Sequence, residues 1–193
     1  MIDKEKYRIF CKNHPDMPIF SKDWWLDTVC ETGKWNAILY QNKDKILGSY
    51  PFFLKKKNFF KLNILPKFTQ KLGPYFVEHE NKNNEIILNY FSENLPHFNY
   101  FEQNWHHEYK KCSAFYEKGF CNQTMRTCII ENIENIEKIR KNFSKNRKYD
   151  LNKADDEKLI INYDIKPDFF YEEHKRNLIK RGLKINYSKK LLK

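Results

Sequence analysis

The chain has 193 residues, 40% of them hydrophobic and 17% aromatic, which is the length of one full domain with the start of a second and enough apolar material for a core. Mean hydropathy is −0.85, no apolar run approaches the roughly 18 residues that cross a bilayer, and Met1-Ile2-Asp3-Lys4-Glu5-Lys6 is charged with no leader core behind it. These features argue against a membrane-spanning or largely disordered chain and lead us to expect a cytoplasmic protein.

Of the net charge of +11, residues 138–193 hold 17 Lys and Arg against 8 Asp and Glu, leaving +9, while the first 137 residues are almost balanced. Such localisation points to an anionic partner for the last quarter, whether phosphate, nucleotide or RNA. The alternative is a solvated helical face with no ligand. Cys11, Cys30, Cys112, Cys121 and Cys128 are odd in number and scattered, which fits free thiols in a reducing compartment.

In chain order, residues 5–11 read as a short strand. Ser21 is placed to cap a helix whose apolar face gathers Trp25, Leu26, Val29 and Cys30, with Trp24 turned away beside Asp27 and Thr28 and Gly33 as the closing glycine. From Trp35 the period changes. Residues 35–40 and 46–54, joined by the polar turn Asn42-Lys43-Asp44-Lys45, make a hairpin, and a strand at 59–65 follows the basic turn Lys55-Lys56-Lys57-Asn58, so the region reads as an antiparallel meander. Pro66 to Pro74 is a loop of the kind that carries binding groups. A helix over 84–94 through Ile87, Leu88, Phe91 and Leu95 ends at Pro96. A strand at 98–103, a helical segment at 112–118, a strand at 123–131 and a helix at 133–141 follow. Then come the basic segment 142–154, a strand at 159–163, and a helix from Pro167 to Gly182 with Phe170, His174 and Leu178 on one face. Last is Ser188 capping a new helix with no room to form, so the chain reads as stopping shortly after starting an element.

Few motifs carry chemistry. His106 and His107 with the downstream cysteines show no paired spacing such as C-x2-C, so no metal site is expected, and no cysteine sits in a thiol-enzyme pattern. His174 reads as a packed core histidine. Phosphate-cradling glycine motifs are absent. Gln70-Lys71-Leu72-Gly73-Pro74 superficially matches the Q-x-x-G start of an acetyl-CoA pyrophosphate loop, but Pro74 lacks an N–H and Tyr75 is bulky, so the match is read as accidental. The constellation with most content is Lys138 to Lys153. On one continuous helix Lys141, Lys145 and Lys148 fall at i, i+4 and i+7, a cationic stripe that a polyphosphate would bridge, with Tyr149 as a stacking surface.

The order of these segments resembles a known family. Phe20-Ser-x-x-Trp24-Trp25-Leu26, Trp35 leading the hairpin, Leu65-Pro66-x-Phe-Thr69-Gln70-x-Leu-Gly73, Phe143-Ser-x-Asn146 to Lys153-Ala154, and Lys180-Arg181-Gly182 with Tyr187-Ser188 together resemble the Fem-like branch of the GNAT-fold acyltransferases. That branch includes the peptidoglycan-bridge aminoacyltransferases, also called methicillin-resistance factors. The resemblance spans nearly the whole chain through loose motifs. It implies an α/β fold with a GNAT-like, mixed, mainly antiparallel sheet flanked by helices over residues 1–140, and the basic helical start of a second, truncated GNAT-like half over 141–193.

As a function it implies the N-terminal part of an N-acyl- or aminoacyltransferase acting on an amine, inactive alone. No cofactor is held tightly, and the donor is acyl-CoA or aminoacyl-tRNA. Arg147, Lys148 and Lys153 would hold the phosphate of a nucleotide-linked precursor, acyl-CoA or tRNA, with Trp24 and Tyr187 lining the cleft, no catalytic residue assigned, and the missing C-terminal half supplied as a separate chain. Tyr149, Asp150 and Asn152 depart from the more basic pattern usual before the Lys-Ala pair. The alternatives are a small basic nucleic-acid-binding module without enzymatic activity, or a non-functional gene fragment.

Overall fold

The computed structural model describes residues 1–77, 84–109, 112–130 and 133–192. They form two compact units, Met1–Asn122 and Gln123–Lys193. Among them are seven α-helices and a mixed, open sheet of five strands, an α/β architecture.

The first unit begins with α1 (Lys4–Asn13), not the strand expected at 5–11. Asp3 accepts a hydrogen bond from the Lys6 N–H at 2.9 Å, and this N-cap commits the segment to a helix. Tyr7, Phe10 and Cys11 then fall at i, i+3 and i+4 and are buried together. Ile19–Ser21 is a 3-10 turn, and α2 (Asp23–Val29) follows it. Ser21 does not cap α2. Its hydroxyl makes no cap bond, and its carbonyl accepts the Tyr7 hydroxyl at 2.5 Å. Gly33 does not close α2 either, because the helix ends at Val29 with Cys30 as its C-cap. A Cβ on Gly33 would stand 2.3 Å from the Leu54 carbonyl oxygen, so glycine is needed there for close passage.

The expected hairpin is β1 (Lys34–Asn42) and β2 (Lys45–Lys57), paired from Lys34↔Leu54 to Asn42↔Lys45. The lysines expected in a turn, Lys55 to Lys57, lie in β2 instead. The turn is the two residues Asn58 and Phe59, Asn58 taking the left-handed φ of 55° that asparagine tolerates. β3 (Phe60–Asn63) pairs the far end of β2, and β4 (Tyr75–Phe76) pairs the same edge of β2 nearer its start, at Gly48 and Ser49. The helix expected at 84–94 is α3 (Asn84–Glu93). The strand expected at 98–103 shrinks to β5 (Tyr100–Phe101), which runs parallel to β3 and makes the sheet mixed. α4 (Ser113–Tyr116) ends the unit's regular structure.

Alternation along β1 and β2 sends side chains to two cores. Trp35, Ala37, Leu39 and Phe53 pack with Tyr7, Phe10, Leu26 and Val29. Ile38, Tyr50 and Phe52 pack with Phe76, Leu88, Phe91 and Phe115. The sheet is therefore buried on both faces, between α1 and α2 on one side and α3 and α4 on the other.

In the second unit, residues 123–130 and 159–163 form no strand. Both runs are rich in isoleucine but have no ladder to join, and Glu131 lies outside the described residues. α5 (Ile136–Lys141), α6 (Lys145–Asp156) and α7 (Pro167–Lys180) follow. Gly182, at a φ of 71°, closes α7 as expected, with Gly182 N–H donating to the Ile179 carbonyl and Leu183 N–H to the Leu178 carbonyl, both at 2.9 Å. The expected last helix is a 3-10 turn, Lys189–Leu192.

Asp27 ties the first unit together. Its carboxylate meets Arg8 at 2.6 Å, Lys4 at 3.3 Å and the Trp35 indole N–H at 3.0 Å. Burial pushes this carboxyl up, but the Arg8, Lys4 and Trp35 donors outweigh that and hold it below its ordinary value of 3.8. Asp27→Asn should lower the unfolding free energy by about 1 kcal/mol at neutral pH, read by urea denaturation. A depressed carboxyl contributes fully above its unfolded value and loses that contribution as pH falls through the folded one. The difference between parent and variant should therefore close as the pH is taken below 3.8.

Candidate functional site

Two regions gather the residues singled out by the sequence, one in each unit. In the first unit, α2 and the 66–74 loop are joined side chain to side chain. The Trp25 indole N–H donates to the Thr69 hydroxyl at 3.0 Å, and Thr69 in turn donates to the Lys67 carbonyl at 3.3 Å. Phe20 packs edge-on against Trp25 at 5.3 Å, and Trp24 does the same at 5.9 Å while remaining 54% exposed. One indole packs and its neighbour is offered outward, as the helical periodicity predicts.

The same loop is pinned at its far end. Leu72 N–H donates to the Asn104 carbonyl at 2.8 Å, and a Cβ on Gly73 would stand 2.5 Å from the Trp105 indole. Gly73 is therefore covered by an aromatic ring, and its backbone is closed to a pyrophosphate, which agrees with reading the Q-x-x-G match as accidental. Trp105 itself packs on Phe115 at 4.9 Å and Tyr50 at 6.2 Å. Below it a buried polar chain runs through the sheet, with the Tyr50 hydroxyl donating to Gln103 at 2.5 Å and Gln103 donating to Asn63 at 3.2 Å.

The turn closed by Tyr109 N–H on the His106 carbonyl carries the one cluster among the described residues with metal-ligand character. His106, His107 and Glu108 place one ligand atom each within 4.8 Å of one another, and His106 Nδ1 lies 3.3 Å from Glu108. Burial, the neighbouring His107 and the charge of Lys71 hold His106 below its ordinary value against the opposing pull of Glu108. The Lys71 field that opposes a proton there opposes a metal cation for the same reason.

Cys11 and Cys30 are buried, and burial raises both thiols, Cys30 up to about 12. Neither is a thiolate nucleophile at neutral pH.

In the second unit the cationic stripe is built differently from expectation. Helix α5 stops at Lys141, and Ser144 starts α6 by accepting the Arg147 N–H at 3.4 Å. Lys141 and Lys148 therefore belong to separate helices, and the Lys148 ammonium reaches back to the Lys141 carbonyl at 2.8 Å. Arg147 and Lys148 sit together in the first turns of α6. Lys153, at about 100° per residue, lies about 140° round the helix from Lys148. Arg147 is 3.8 Å from Asp150 and Lys153 is 3.7 Å from Glu157, both pairs exposed. No carboxylate among the described residues pairs with Arg140, Lys141 or Lys145. Tyr187 is buried against Tyr171, its hydroxyl sharing a 2.5 Å hydrogen bond with His174 Nδ1. His174, read as a packed core histidine, is instead half-buried on a helix with no buried residue, and it is held by its contact with Tyr187. Sequence reasoning missed the Thr69 and Asn104 anchors of the loop, whose bonds span 44 residues in sequence for Trp25 to Thr69 and have no local signature.

Comparison of the chain with family models, curated proteins and solved structures finds no match.

Gly73→Ala should destabilise the first unit by about 1 to 3 kcal/mol, because the methyl must displace the Trp105 ring from a packed core. Urea unfolding followed by tryptophan fluorescence checks it.

Proposed function

We propose that this chain is the N-terminal portion of a Fem-like, GNAT-type N-acyltransferase that passes an acyl or aminoacyl group from an anionic donor to an amine and needs a completing half for turnover. The donor is acyl-CoA or aminoacyl-tRNA. Arg147 and Lys148 contact its phosphates, with Lys153 on another face of α6; Tyr187, buried against Tyr171 and bonded to His174, offers it no aromatic face, and Trp24 is an exposed aromatic surface of the first unit. Catalysis in such a transferase rests on holding the amine against the thioester or ester rather than on one reactive side chain. The hydrogen bond from Trp25 to Thr69 supports the reading, since it joins two of the segments on which the resemblance rests.

The observation that carries the proposal is the run of cations from Lys138 to Lys148, six in eleven residues with no acid among them. Lys138, Arg140 and Lys141 lie in the last turn of α5, where the helix dipole favours positive charge. Lys145, Arg147 and Lys148 lie at the start of α6, whose first turn has no acidic residue and where the dipole opposes cations. A solvated face has no reason to load that end with charge. A phosphate has one.

A specific observation also favours a second reading, a basic nucleic-acid-binding module. Tyr149, 67% exposed between Lys148 and Asp150, is a ready stacking surface. Salt separates the two readings, because generic RNA binding falls steeply with ionic strength whatever the sequence.

The double variant Arg147→Glu, Lys148→Glu should weaken binding of tRNA, read by fluorescence anisotropy, or of CoA, read by calorimetry, by about tenfold or more. Helix content by circular dichroism should stay close to the parent's, since glutamates in the first turns of α6 suit the helix dipole and offset the lost Lys148 contact with the Lys141 carbonyl. Unchanged affinity for both probes would remove these residues from the site.

A further inference from the structure

The turn between β2 and β3 is the most exposed apolar feature of the first unit. Phe59 is 99% exposed at its apex, and Phe60 beside it is more than half exposed. Behind the apex the register sets Lys57 opposite Phe60 and Lys56 opposite Lys61, with Lys55 one rung further back. Like charges placed directly across an antiparallel pair destabilise it. Nothing nearby neutralises them: from Lys45 to Val77 the sequence contains no acidic residue, and no carboxylate among the described residues pairs with these four lysines.

The fold has no use for this arrangement. Both cores of the unit lie behind it, and neither includes Phe59 or Phe60. A hairpin with an apolar point and a collar of uncompensated cations matches an environment layered in the same order, apolar inside and anionic at its surface. We propose that the Asn58–Phe59 hairpin tip docks this protein on an anionic lipid surface, with Phe59 and Phe60 entering the headgroup and acyl boundary and Lys55, Lys56, Lys57 and Lys61 meeting the lipid phosphates. The helical second unit contributes none of this geometry. Charge complementarity selects anionic over neutral lipid, at about fivefold in affinity per lysine close to the surface, and the apolar tip distinguishes a bilayer from a nucleic acid backbone.

The test uses the full chain with vesicles of phosphatidylcholine alone and with about one third phosphatidylserine, read by co-sedimentation. Binding is expected to the anionic vesicles and to be weak on the neutral ones. Phe59→Ser with Phe60→Ser leaves every charge in place, including those of the second unit, and should reduce binding at least fivefold. Lys56→Glu with Lys61→Glu should reduce it more, and because it exchanges one like-charge rung for another, urea stability should stay close to that of the parent. In Phe59→Trp, the added emission should shift to the blue and be quenched by doxyl-labelled lipid. No vesicle binding by the parent, equal binding by the serine double variant, equal affinity for neutral vesicles, or loss of RNA binding instead of vesicle binding in the serine variant would each overturn the proposal.

Discussion

β2 is bonded along both edges and buried on both faces, and the rest of the first unit is arranged to satisfy it. One edge takes β1 along nearly its whole length, while the other is divided between β4 near its start and β3 at its end. Between those two partners the chain must leave the sheet and return, and the 66–74 loop makes that excursion. Its groups find partners off the ladder, Thr69 with Trp25 and Leu72 with Asn104. The buried chain from Tyr50 through Gln103 to Asn63 lies at the same stretch of β2. The loop is therefore held by α2 and by the segment that follows β5 rather than by the ladder, and Trp24, next to the committed Trp25, stands exposed.

The second unit obeys no such constraint. Among its described residues only Tyr187 and Leu191 are buried, while Ile160 and Tyr163 are 91% and 87% exposed. Two buried side chains are far too little apolar burial to offset the conformational entropy of ordering some seventy residues. Its helices rest on local devices: Asn135 and Ser144 as N-caps, the Gly182 closure, and Lys189 bridging Asp168 and Glu172 at 3.6 Å each.

Much of the first unit was legible because its signals are local. The hairpin shows a change of period at Trp35 and a polar turn, and the Trp helix shows its apolar face directly. The errors have physical causes. Residues 5–11 look strand-like by composition, but the cap from Asp3 and the spacing of Tyr7, Phe10 and Cys11 outweigh β propensity. Residues 123–130 and 159–163 carry β-branched residues with no partner strand, and a strand exists only through its partner. Of the candidate site, the placement of cations was readable, but their connection was not. Ser144 looked like one residue in a basic stretch, yet by capping α6 it divides a single expected stripe between two helices.

That division changes what the charge means. On one continuous helix Lys141, Lys145 and Lys148 would form a single stripe that a polyphosphate or plain solvent would satisfy equally. Broken at Ser144, the run places three cations where α5 exposes carbonyls and three more where α6 exposes N–H groups. The first set is accounted for by the helix end it serves, and Lys148 reaches across to the same carbonyls. The remaining pair at the start of α6, Lys145 and Arg147, gains nothing from its own helix. Arg147 has only a 3.8 Å approach to an exposed Asp150, worth little in water. Charge that the fold neither needs nor neutralises occurs twice, at the start of α6 and at the β2–β3 tip.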